Sequence, residues 1–203
     1  MIQPRFWFLT TLLLYSVAMR LLPYILFCFG MDIDPETTVY PWNFSPLLAI
    51  CLFGGAFFSD RRWAFSIPFA AFLLSDLGIL ALTGRLDWVL YSTQPIVYAC
   101  IALTVSMGFL LRNRRSVLAI AGIGLLASTS FFLITNFGVW ALGGGFSYSR
   151  NLAGLVECYY MAIPFFRNSL ISMVVFLPVL FSPLALRQRD SVTLRSSHAI
   201  VMK

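Results

Sequence analysis

Histidine, carboxylates and paired cysteines are what this 203-residue chain has least of: one histidine, eight Asp and Glu together, and four cysteines. The histidine, His198, lies near the C-terminus without imidazole or acidic neighbours at zinc-ligand spacing, which excludes a zinc centre built on it. Cys28, Cys51, Cys100 and Cys158 show no CxxC or other metal pattern and read as apolar packing groups. There is no HExxH, no Walker A loop and no serine placed with a histidine inside an apolar run, so the common hydrolase and nucleotide chemistries lack their parts. Only one carboxylate, Asp76, falls deep in an apolar run; a two-aspartate intramembrane protease is excluded by count. The chain is therefore expected to be no enzyme, with no cofactor and no metal.

Charge is scarce as well. Charged residues make up 11% of the chain against 60% hydrophobic, and the mean hydropathy is +0.86, far from the composition of a soluble domain. The apolar runs are continuous, without the alternation of barrel strands. A run of about 20 residues crosses the hydrocarbon layer as a helix at about 1.5 Å per residue. These facts predict an all-α integral membrane protein, a bundle of six transmembrane helices over residues 6–29, 45–58, 64–83, 88–111, 117–142 and 163–182. The second is short but carries a helix start in Ser45 and Pro46. Small residues at Gly54, Gly55 and Ala56, and at Ala121, Gly124 and Ser128, permit close approach of a neighbouring helix. Residues 1–186 form one transmembrane domain, and 187–203 a basic, solvated tail. The apolar run after residue 5 is too long for a secretory signal and is expected to stay as the first span.

The sign of the charge sets an orientation. Arg5, Arg61, Arg62, Arg112, Arg114, Arg115, Arg187, Arg189, Arg195 and Lys203 fall on one face, Arg85 and Arg150 on the other. The positive-inside rule then predicts cytoplasmic N- and C-termini in a bacterial inner membrane. The net charge of +6 reports topology and contact with anionic lipid rather than nucleic-acid binding. Trp7 and Trp63 fall at inner boundaries, and Trp42, Trp88 and Trp140 at outer ones, where indoles anchor. Cys28 and Cys158 both fall toward the outer face, which leaves a disulfide between them open.

A few polar groups interrupt the spans. Arg20 lies about 21 Å along the first span and Asp76 about 18 Å along the third, nearly one level. An ionised side chain in a bilayer costs at least about 2.5 kcal/mol and finds a partner, so the two form a structural ion pair, which either only fastens helices or also floors a polar cavity. Asn136 interrupts "SFFLITNFGVW", and Gln94 lies near the start of the fourth span, both in the outer half. The following loop, "GGGFSYSRNLAGLVECYYMAIPFFRN", opens on Gly143, Gly144 and Gly145, which permit sharp turns. It continues into a short amphipathic stretch with Glu157, Tyr159 and Tyr160, expected as an outer interfacial helix before the last span. Asp76, Asn136, Trp140, Glu157 and Tyr159 are the expected lining of one outward cavity, with that loop as its cover.

The series "NFSPLLAICLFGGAFF", "PFAAFLLSDLG", "FFLITNFGVW" and "CYYMAIPFFRN" resembles an uncharacterised family of small bacterial membrane proteins. The design is also similar, more distantly, to the substrate-binding S components of energy-coupling factor transporters. That similarity implies a subunit that captures a small solute from outside and borrows a transmembrane coupling subunit and ATPases. S components typically dock that subunit through small residues on the first helix; here the inner half reads "FWFLTTLLLYSVA", so docking would fall to Gly54, Gly55 and Ala56. The alternative is an envelope scaffold or assembly protein whose polar groups only fasten helices.

Overall fold

The computed structural model describes residues 2–31, 44–143 and 148–188. Six helices follow in order: α1 (Phe6–Cys28), α2 (Leu47–Phe57), α3 (Arg61–Thr83), α4 (Gln94–Gly108, extended by a 3₁₀ turn over Phe109–Leu111), α5 (Val117–Leu142) and α6 (Leu152–Leu180). Five of them, with α4 counted through Leu111, are long and apolar enough to cross a membrane. Large apolar side chains such as Leu14, Leu74, Leu118 and Val174 stand 60% or more exposed along these helices. Such a surface suits lipid rather than water, and the chain is a helical multi-pass membrane protein. Its basic end gathers Arg5, Arg61, Arg62 and the 112–115 loop; the far end carries the C-terminus of α1 and the turn after α3.

The short helix is the centre of the fold. All eight residues from Ala49 to Ala56 are buried, so α2 is sheltered on every side, as its length requires. Its Leu52 and Phe53 join Leu9 of α1 and Phe176, Leu177 and Leu180 of α6 in one apolar cluster, while Cys51 packs with Ile101 and Val105 of α4. At the crossing with α4, Gly55 meets the backbone of Val105 and Gly108, and Gly108 meets that of Leu52. Small residues here let two backbones touch inside the bundle. Gly55 and Ala56 are consequently consumed by α4 and the core, which removes them as an external docking face. In α5 the small residues act similarly: Gly124 receives the Leu177 side chain, whereas Ala121 is exposed.

The basic loop closes α2. Arg112 donates from Nε to the Gly55 carbonyl (2.9 Å) and from Nη2 to that of Phe58 (2.8 Å), and Arg115 Nη2 reaches the Ala56 carbonyl at 3.2 Å. Two guanidinium groups thus cap the negative end of the helix dipole. Part of the positive charge that sets topology in the sequence has a local structural use.

Three expectations are corrected. α2 starts one residue late, with Pro46 as N-cap and the Ser45 hydroxyl accepting from the Leu47 N–H at 3.3 Å. α4 begins at Gln94, not at 88, because Pro95 suits a first helical turn; Leu86–Trp88 is a separate 3₁₀ turn. No separate interfacial helix precedes the last span: α6 is one helix of 29 residues, capped by Asn151 accepting from the Gly154 N–H at 2.9 Å. Pro164 inside it removes a single backbone bond, which bends a helix without ending it. Beside the helices a small antiparallel ladder, β1 (Ile2–Pro4) with β2 (Leu186–Gln188), ties the described chain ends together at the basic end. Trp42, Gly144, Gly145 and residues 189–203 lie outside the described residues.

Candidate functional site

The polar groups of α1, α3 and α4 meet at one level. Arg20 Nη2 donates to Asp76 Oδ1 at 2.5 Å, and Nη1 donates to Ser75 Oγ (2.5 Å) and the Phe72 carbonyl (3.0 Å). The guanidinium also stacks over the Phe72 ring, 3.6 Å from its centre, a favourable placement for a cation. Asp76 is 1% exposed, and its second oxygen accepts from Gln94 Nε2 (2.9 Å) and the Tyr98 hydroxyl (3.0 Å). A carboxylate taken out of water needs several donors as well as a counter-ion. Here α1 and α4 supply them.

The other side of Arg20 faces a cavity of about 240 Å³ at the middle of the bundle, between α1, α3, α5 and α6 and the start of α2. Ser16, Ser45, Ser75, Ser169 and Ser172 line it with Arg20 and Tyr24. Ser45 is the knot of this lining: its hydroxyl shares a 2.8 Å bond with Ser16, and its carbonyl accepts from Ser172 at 2.5 Å. Because Ile50 is the first residue of α2 to donate back, to Pro46, the N–H groups of Leu47, Leu48 and Ala49 have no intrahelical acceptor. The positive end of the α2 dipole therefore points at this cavity, and Leu47 and Leu48 line it. Asp76 does not; it stands behind the guanidinium.

A second cavity, of about 560 Å³, lies along the seam of α5 and α6. Phe131, Phe132, Val139, Phe165 and Phe166 give it apolar walls, with Ser128, Thr135, Asn136 and Tyr148 as its polar points. Ser128 is 1% exposed and its hydroxyl has no partner among the described residues. Asn136 donates from Nδ2 to the Phe132 carbonyl in its own helix at 2.8 Å. Its side chain makes no bond to another helix among the described residues. Burial pushes the Tyr148 phenol above its ordinary pKa, with smaller upward contributions from Cys158 and Glu157; it stays a neutral donor.

The five residues expected around one cavity are not brought together. Asn136 lines the α5–α6 cavity, and Asp76 is sealed in the polar knot of α1, α3 and α4. Trp140 pins the stretch before α6 by donating to the Ser149 carbonyl (3.0 Å), and Tyr159 donates to the Leu133 carbonyl of α5 at 2.8 Å. Glu157 is exposed on α6 and lines neither cavity. A bond between Cys28 and Cys158 is not formed: both are free, Cys28 donating to the Leu82 carbonyl and Cys158 to that of Asn136. The helical serines of the central cavity escaped notice because single serines are ordinary in apolar helices; only their convergence with Ser45 from α1, α3 and α6 marks them.

A family model described as Family of unknown function (DUF6580) matches residues 1–194. The chain belongs to this family. No curated protein and no solved structure matches it. The family model covers both cavities and the Arg20–Asp76 knot, so these lie in the part of the chain that defines the family, whose activity the model leaves open.

Proposed function

We propose that this protein is the solute-binding membrane subunit of a transporter, capturing a small polar solute from the outer face in the central cavity. The observation that carries this reading is the guanidinium of Arg20, which lines a cavity with five serines although Asp76, Ser75 and the Phe72 carbonyl already accept from it. A polar hollow in an apolar bundle is expensive unless it is used. The chain carries no nucleotide-binding signature, so energy must come from partner subunits, as in energy-coupling factor systems. The inner membrane, with both termini cytoplasmic, is the proposed setting. A scaffold or assembly protein is the second reading, favoured by the full satisfaction of Asp76 within the bundle.

Ligand-dependent melting of the purified full chain separates the two. A binder gains about 2.7 kcal/mol at 100 times its Kd, so at least one member of a panel of small acids, polyols and amines raises the melting temperature. A scaffold shows no such shift with any of them, and that outcome removes the transport reading.

Orientation has its own test. Cys28 is exposed at the far end, whereas Cys158 is 2% exposed and a poor reporter. With the basic end inside, an impermeant thiol reagent added to intact cells labels Cys28. A cysteine at the exposed Asn113, in a chain with Cys28→Ser, stays unlabelled. The opposite pattern reverses the topology and places the solute on the inner side.

A further inference from the structure

We propose that the solute carries an anionic head on an apolar body, with the head at Arg20 in the central cavity and the body in the α5–α6 cavity. This rests on the solute-binding reading above and adds the chemical class. Phe131 and Ser169 line both cavities, so the cavities share one wall at these two side chains, the junction that an elongated molecule would have to part to fill both. The head side presents the guanidinium, the start of α2 and one hydroxyl proton of the Ser16–Ser45 pair; Ser75, Ser169 and Ser172 already donate to the carbonyls of Phe72, Phe165 and Ser45. Bonds to Phe72, Ser75 and Asp76 engage Nη1 and Nη2 of Arg20, and the Tyr91 side chain is a further hydrogen-bond partner of the guanidinium. Asp76 shares its charge among Arg20, Gln94 and Tyr98 and does not line the cavity, so the potential seen from inside is positive. The body side is aromatic and lies within the range of about 300–1,000 Å³ usual for small-molecule sites. Its few polar points, the unpartnered Ser128 hydroxyl and the Asn136 carboxamide, fix an orientation. The same chemistry describes a water-soluble aromatic acid and an anionic lipid.

The full chain in phosphatidylcholine nanodiscs is melted, and titrated by calorimetry, with 4-phenylbutyrate, 4-phenylbutyramide and propionate. The acid is expected to raise the melting temperature and to bind about tenfold or more tighter than its uncharged amide. It should exceed propionate by a similar factor, from the buried apolar body. Ser169→Leu, which fills the junction, should cancel the advantage over propionate. Asn136→Leu, on the seam wall, is the second variant should the first not fold, and should weaken phenylbutyrate more than propionate. If phosphatidylglycerol in the nanodisc gives the same rise and competes with phenylbutyrate, the source is a lipid and the class stands. Equal binding of acid and amide overturns the anionic head. Equal binding of phenylbutyrate and propionate overturns the second compartment and leaves the central site. A shift only with uncharged polar solutes removes the class while the binding function survives; no shift with any solute removes both.

Discussion

Arg20→Leu and Asp76→Leu are each expected to destabilise the protein by about 3–5 kcal/mol, the usual result of leaving one buried charge without its partner. The double variant should lose much less than the two losses together, since neither charge then remains. Asp76→Leu should be the worse single change. It strands a guanidinium that is 22% exposed and also leaves Gln94 and Tyr98 without their acceptor, whereas Arg20→Leu leaves Asp76 with both of those donors. Unfolding in detergent for the three variants measures the coupling, and additive losses would mean that the pair contributes nothing as a pair. The two fates of the site separate in the same experiment. If the double variant is stable but binds nothing that the native chain binds, the knot serves the cavity; if it is stable and binds normally, the knot only fastens helices.

That pairing was legible because it needed one coordinate. Depth along a helix follows from counting, so Arg20 and Asp76 could be matched before any packing was known. Gln94 and Asn136 were visible as polar interruptions, but which neighbour each one faces depends on rotation about the helix axis and on helix order. Neither is in a count. Gln94 turned from α4 toward Asp76 of α3, and Asn136 turned away into the α5–α6 seam, so the single outward cavity became two cavities with Phe131 and Ser169 in both linings. Tyr98 and the five serines were illegible for a different reason: each is common in an apolar helix, and their meaning lies in coming together. The boundary before the last span failed because the polar stretch read as a separate interfacial helix. Pro164 sits inside α6 rather than at its start, and the polar Glu157, Tyr159 and Tyr160 belong to its first turns. The short α2, by contrast, was readable as a sheltered element because the apolar run 45–58 reaches only about 21 Å and must be covered by others, as it is.

The second large effect is expected at the crossing of α2 and α4. A methyl group added at Gly55 falls on the Val105 carbonyl oxygen and the Gly108 backbone, and one added at Gly108 falls on the Leu52 carbonyl. Alanine in place of glycine favours a helix by about 1 kcal/mol through propensity alone, so the sign turns on whether the obstacle yields. Backbone atoms of two packed helices do not rotate away, and separating the helices would open the apolar cluster around Leu52 and Phe53. Gly55→Ala and Gly108→Ala should therefore each lose about 3 kcal/mol or more, at the upper end of overpacking effects. Two glycines of α5 serve as controls. At Gly124 the added methyl meets only the end of the Leu177 side chain, which can change rotamer, so Gly124→Ala should lose about 1 kcal/mol. At Gly122 it meets nothing within 4 Å, and Gly122→Ala should be neutral or slightly stabilising. Denaturation in detergent ranks the four variants. If Gly55→Ala is as mild as Gly122→Ala, α2 and α4 are not in backbone contact. The start of α2 is then no longer held at the central cavity, and the positive helix end loses its place in the proposed site.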